Sequence, residues 1–235
     1  MCIIAIKPKG KKMFDDEIIR TMFFNNPDGA GYMYFDKTIG KVIGKKGFMT
    51  YESLIKSLHS QDFTEYNLIV HFRIGTSGLN DSLNCHPYPI FERNRVEFKT
   101  DIAMAHNGIL SSYTPSKRSK INDTQMFINL VLNGLSKDFL KSTDCLKLLE
   151  IIAVNNRLAF LDSNDKVTLI GDFIEDSGYI YSNTTYKNRK VCTRPHKVRV
   201  DYNSIWDEKE EDDGFWAWYD GKYGAFWYKM CYGGN

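Results

Sequence analysis

Cys2 stands directly behind Met1 in a chain that opens MCIIAIKPKG, and a thiol in that place can be a nucleophile that carries its own base. Removal of Met1 ahead of so small a side chain leaves Cys2 with a free α-amine. Such an amine has a pKa of about 8, so a useful fraction is neutral near neutral pH and can take the thiol proton. A small buried hydrophobe opening a strand explains the same residue without chemistry. The second group is His106-Asn107-Gly108, where a strand stops and the Asn107 amide and Gly108 N–H can face one small space, as oxyanion donors must. A plain Asn-Gly turn is the alternative. In HFRIGTSG, His71 to Gly78, an apolar strand runs into Arg73 and then into glycine and hydroxyl residues. A guanidinium there can hold a carboxylate bidentately while the glycines let a ligand approach the backbone; a structural ion pair is the plainer use. NCHPYP, Asn84 to Pro89, reads as a rigid loop carrying His86. NDTQMF puts Asp123 at a helix start, able to pair with a ligand's amine or simply to cap the helix.

These groups need elements to hold them. CIIAI is a short buried strand, with β-branched residues crowded into an apolar run that ends at Pro8 and Gly10. Phe14 to Phe24 carries Ile18, Ile19, Met22 and Phe23 at helical spacing, and NNPDGAG ends it. GYMYFD and KVIGKKGF form a hairpin around Lys37 to Gly40, followed by a helix over Tyr51 to Leu58 with Thr50 as its cap. NLIVHFRIG is a strong strand, and FKTDIAMAHNG reads as one more strand ending at Gly108. Helices are expected from Asn122 or Asp123 onward, carrying Met126, Phe127, Leu130 and Val131, and over Thr143 to Ala153. RLAFLD and KVTLIGDF flank the turn Ser163-Asn164-Asp165, and YIYSN closes the series. Antiparallel strands with interspersed helices make a mixed α/β or α+β domain.

Composition narrows the partners. With 31 basic and 29 acidic residues the net charge is +2, which leaves no electrostatic footprint for nucleic acid. The five apolar or small residues that begin the chain are too few for a signal peptide, and no run approaches a membrane span. The 5 cysteines form no CxxC pair, so neither a disulfide framework nor a zinc site is suggested, and a cytoplasmic setting fits. After about Pro195 the chain changes to an acidic run, DEKEEDD, and then to a segment rich in Trp, Tyr and Gly. That tail is expected either to pack back as a terminal strand or loop or to dock a partner through its aromatics.

Taken in order and spacing, Cys2, the DGAG turn at Asp28, HFRIGTSG, the His-Pro pair at 86 and 87, HNG, NDT and the Ser182-Asn183 pair resemble one family over about residues 2 to 185. The chain resembles the glutaminase domain of class II, or N-terminal-nucleophile, glutamine amidotransferases. The resemblance implies an α+β fold, a four-layer αββα sandwich, over residues 1–190, with 191–235 as an acidic and aromatic C-terminal extension. It implies that Cys2 attacks the glutamine side-chain amide to give a thioester and that Asn107 and Gly108 form the oxyanion hole. Arg73 would bind the α-carboxylate, Asp123 with Gly108 the α-amine, and Thr76 and His86 would line the pocket. No metal or organic cofactor is called for. In the family ammonia passes to a synthase domain; the residues after 190 are too few for one, so a separate ammonia-accepting partner is expected. A free-standing γ-glutamyl amidohydrolase and a catalytically silent module of a larger assembly are the rival uses. Ile3, where many members have glycine, the missing arginine before Asp28, and Ser77, where some carry histidine, depart from the pattern.

Overall fold

A computed structural model describes residues 1–116 and 118–187, together with the backbone of two short strands, Trp216–Ala217 and Tyr228–Lys229. The chain divides into two compact units, Met1–Lys190 and Val191–Asn235. In the second, those two strands pair antiparallel; the acidic run and most of the aromatic segment lie outside the described residues.

In the first unit the elements are β1 (Ile3–Lys7), α1 (Asp16–Asn25), β2 (Ala30–Asp36), β3 (Lys41–Phe48), α2 (Tyr51–Leu58), β4 (Leu68–Phe72), β5 (Tyr88–Ile90), β6 (Glu97–Thr100) and β7 (Ile102–Asn107). They continue with α3 (Asp123–Leu130), α4 (Thr143–Ile152), β8 (Arg157–Asp162), β9 (Val167–Ile170), β10 (Ile174–Asp176) and β11 (Tyr179–Tyr181). The strands make two antiparallel sheets, one of seven in the order β10-β11-β1-β4-β2-β3-β6 and one of four in the order β5-β7-β8-β9. Antiparallel sheets with several helices make this a mixed α+β unit.

One expectation is corrected here. FKTDIAMAHNG is not a single strand: it breaks at Asp101 into β6, the edge of the larger sheet, and β7, which lies between β5 and β8 in the smaller one. The Thr100 hydroxyl donates to the Ile90 and Ile102 carbonyls at 3.0 and 3.1 Å, which holds the chain as it changes sheets. β5 and β10 arise where no strand was expected. The hairpin of β2 and β3, the hairpin of β8 and β9, and the Thr50 cap on α2 form as their sequences indicate.

Three hydrophobic cores divide the labour. The first joins Ile19, Met22 and Phe23 of α1 and Leu54 and Leu58 of α2 to Ile3, Ala5, Tyr32 and Val70 on the larger sheet. The second lies on alternate residues of those strands, where Ile4, Ile6, Met33 and Ile69 meet Ala103, Ala105, Ala159 and Leu161 of the smaller sheet. The third joins Met104, Leu158 and Phe160 to Phe127 of α3 and Leu149 of α4. The alternation follows from the two-residue period of a strand, which sends successive side chains to opposite faces. Strand β1, buried along its whole length, is thereby fixed on both faces. Its pairing with β4 sets Ile3 opposite Phe72, and so brings residue 2 beside the chain that leaves β4.

Candidate active site

The ends of β1, β4 and β7 and the start of α3 converge on one pocket lined by Cys2, Arg73, Thr76, His86, Gly108 and Asp123, with Ile74, Ser77, His106, Asn122 and Thr124. Six of the seven residues singled out as site candidates are therefore together. Asn107 is the seventh, buried behind the wall, and its Nδ2 donates to Ser182 Oγ at 2.9 Å.

Cys2 is half-buried. Its Sγ accepts from the Ile74 N–H at 3.2 Å and lies 3.4 Å from the Ile74 carbonyl, while Asn183 Nδ2 donates to the Cys2 carbonyl at 2.6 Å. Burial pushes the thiol above its ordinary pKa, with the Ile74 hydrogen bond acting the other way. A thiol so held stays protonated at neutral pH and needs a base to become a nucleophile. Ser182 Oγ accepts from the Ile4 N–H at 2.9 Å as well as from Asn107, so one hydroxyl ties β1 to the end of β7.

Arg73 is 3% exposed, and among the described residues no carboxylate lies within ion-pair distance of it. Its guanidinium donates instead to Asn80 Oδ1 at 3.0 Å and to the Ser77 and Leu79 carbonyls at 3.1 and 3.2 Å. The structural ion pair that could have explained Arg73 is absent there. Asp28 receives the Gly75 N–H at 2.9 Å and Asn80 Nδ2 at 3.1 Å, so the DGAG turn shapes the loop that curls around the guanidinium.

Asp123 is likewise buried, at 5% exposure, without a cationic partner among the described residues. It is not the helix cap: Asn122 caps α3 by accepting from the Gln125 N–H at 3.0 Å. Asp123 Oδ2 takes the Leu110 N–H at 2.8 Å, and Oδ1 takes the Thr124 N–H at 2.9 Å and the Ser77 hydroxyl at 3.3 Å. Ser77 thus touches both charged groups, its carbonyl on Arg73 and its hydroxyl on Asp123.

Three buried histidines stand together here, His86 and His106 in the pocket wall and His71 beside His86. The His71 and His86 rings lie tilted at 4.2 Å between centroids, and His106 is 6.2 Å from His86. Burial is the main reason all three are held below the usual imidazole pKa, His71 down to about 3. They are neutral at physiological pH. Thr124, Asn156 and Ser182 are further polar residues beside the pocket. Thr124 and Ser182 fall within motifs already noted, NDT and Ser182-Asn183, whereas Asn156 carried no sequence signal, because its role depends on pairing with residues far away in the chain. A larger groove of about 470 Å³ runs along β3 and β6, lined by Lys45, Arg93, Arg95, Lys99 and Phe98 among others, but it holds no nucleophile.

The sequence pattern that defines the family described as Glutamine amidotransferases class-II matches residues 20–148, more than half of the 235-residue chain. The chain belongs to the class II glutamine amidotransferases. No curated protein matches it. The amidotransferase match contains Arg73, Thr76, His86, Asn107, Gly108 and Asp123, but begins after Cys2 and ends before Asn156 and Ser182. Membership in the class supports hydrolysis of a glutamine amide, with glutamine as substrate. The case for Cys2 as the reacting group in this amidotransferase therefore rests on where β1 delivers it. Among the described residues no group of His, Cys, Asp or Glu is arranged to hold a metal ion, and no helix is long and apolar enough to cross a membrane.

Proposed function

We propose that the chain is an N-terminal-nucleophile glutaminase in which Cys2, freed by removal of Met1, cleaves the side-chain amide of glutamine through a thioester. One observation carries the reading: a buried cation without a carboxylate among the described residues, Arg73, and a buried carboxylate without a cation among them, Asp123, line the same pocket as a half-buried thiol. Burying an unpaired charge is costly, so each is complementary to an opposite charge brought by a ligand. A free amino acid supplies both, its α-carboxylate for Arg73 and its α-ammonium for Asp123, and its side chain is left to reach Cys2. Thr76 at the rim and His86 in the wall shape the space.

The α-amine of the processed chain takes the Cys2 thiol proton as sulfur bonds to the amide carbon. The Gly108 N–H receives the charge that develops on oxygen, and Asn107, buried with Nδ2 on Ser182, would join it by turning its second amide N–H into the pocket. The C–N bond then breaks, the amine returns the proton to the departing ammonia, and water cleaves the thioester to give glutamate and the free thiol. Met1 is 72% exposed, which suits its removal.

The three cores support a four-layer αββα arrangement of the N-terminal-nucleophile hydrolase type over residues 1–190, with 191–235 as an extension. The name of the class supports an acceptor for the ammonia, here a separate synthase, and co-purification with such an enzyme tests that part. The reading as a whole is tested by intact mass and peptide mapping before and after exposure to a diazoketone analogue of glutamine. A chain lacking Met1 that gains a single adduct on Cys2 is expected; retained Met1 with no label would sink the proposal. In the same assay Arg73→Ala should raise KM for glutamine by about 10–100-fold, the value of a charged hydrogen-bond pair, with a smaller change in kcat. An unchanged KM in a folded variant removes Arg73 from substrate binding, and Arg73→Lys checks that loss of charge rather than loop collapse is responsible.

A further inference from the structure

The direction of the hydrogen bonds that join Asn156, His106, Thr124 and His86 follows from one backbone carbonyl. Asn156 Nδ2 donates to the Val154 carbonyl at 2.9 Å, which turns Asn156 Oδ1 toward His106 Nε2 at 2.9 Å as an acceptor. Neutral His106 therefore carries its proton on Nε2 and offers a bare Nδ1 to Thr124 Oγ1 at 2.8 Å. The Thr124 hydroxyl must donate there, so at 3.3 Å it accepts from His86 Nε2. A chain of donors runs one way, from His86 through Thr124 and His106, and ends on Asn156. The His106 carbonyl is held separately, by His71 Nε2 at 3.0 Å.

Asn156 also sits against the end of β7. Gly108 has φ +144°, and a Cβ placed there would overlap Asn156 Oδ1. The same oxygen that fixes the His106 tautomer thus forms the floor under Gly108, which lines the pocket. Thr124, at the other end of the chain, follows Asp123 in the first turn of α3.

We propose that Asn156 is a positioning residue of the reaction at Cys2: by holding His106 in one tautomer and abutting Gly108, it sets the Gly108 N–H for the transition state and locks β7 to the start of α3. The proposal rests on the glutaminase reading given above. Asn156 touches no substrate, so its effect is on turnover rather than on the grip of Arg73 and Asp123.

The test compares wild-type protein, Asn156→Ala and Asn156→Asp by glutamine kinetics, thermal melting and nitrogen-15 NMR of labelled histidine. Asn156→Ala is expected to lower kcat at least about tenfold, short of the roughly 10²–10³ lost with an oxyanion donor outright, with KM within about twofold. His106 should then no longer show a single Nε2–H form. Asn156→Asp keeps an oxygen facing Nε2, so it should keep that form and recover most of kcat; it also serves if the alanine variant does not fold. Wild-type kcat in Asn156→Ala, or KM and kcat failing together with the melting temperature in both variants, overturns the proposal. So does a folded Asn156→Asp that keeps the tautomer but has lost its turnover. Wild-type protein that neither hydrolyses glutamine nor takes label on Cys2 instead sinks the glutaminase reading, and this proposal with it.

Discussion

Replacing Cys2 by alanine should end glutamine hydrolysis, with kcat falling roughly 10⁴-fold or more, the scale on which acyl-transfer enzymes respond to loss of their nucleophile. The fold should survive. The sulfur's polar contacts in the chain are weak ones to Ile74, at 3.2 and 3.4 Å, and β1 is held by its backbone ladder and by Ile3, Ile4 and Ile6, none of which changes. A melting temperature close to that of wild type together with no activity is the expected pair of results. Cys2→Ser should behave almost as badly, because a hydroxyl is much harder to ionise than a thiol. Cys145→Ser, in α4 and outside the pocket, should leave both turnover and labelling unchanged. Persisting activity in Cys2→Ala would move the chemistry to another residue and end the N-terminal-nucleophile reading.

The second large effect is expected at Gly108. Alanine there meets two penalties at once: a φ of +144° that side-chain-bearing residues rarely adopt, and overlap of its Cβ with Asn156 Oδ1. Backbone strain of this kind costs about 1–3 kcal/mol, and relief by rotating the peptide would carry the Gly108 N–H away from the pocket. Gly108→Ala is therefore predicted to lose about 10²–10³ in kcat and to melt several degrees lower. The double variant Gly108→Ala/Asn156→Gly removes the overlap but not the φ, so compared with Asn156→Gly alone it should still melt lower and turn over more slowly by the backbone penalty. A single Gly108→Ala variant with wild-type kinetics would take this N–H out of the mechanism.

Much of the site is legible in the sequence because each motif sits where its own strand or helix ends. CIIAI had to be a buried strand, HNG had to follow one, and Asn122 or Asp123 had to open a helix. Those are local statements, made by β-branched residues, an Asn-Gly step and a capping side chain. What could not be read were choices made by distant partners. FKTDIAMAHNG contains no glycine or proline before its end, so nothing local announces that Asp101 turns it from one sheet into the other. β5 has three residues including Pro89, and β10 is a short, mostly exposed pair for β11; neither is long enough to show a period. Asn156 sits in the short connection between α4 and β8, with no motif around it, and its partners His106 and Gly108 lie about 50 residues earlier. The two bland readings, Asp123 as a cap and Arg73 in an ion pair, were equally open at that stage. Asn122 takes the cap, and no carboxylate reaches Arg73 among the described residues.

The position of β1 inside the larger sheet has a bearing on how the protein is made. The strand behind Cys2 has as its neighbours β4, near residue 70, and β11, near residue 180. Closing loops of that length is slow, and the second closure cannot begin until β11 has emerged. Until then the start of β1 lacks Ser182 and Asn183, which anchor it in the finished fold. On the glutaminase reading proposed above, the pocket is complete only once the last strand of the sheet has docked, so turnover waits on the whole sheet.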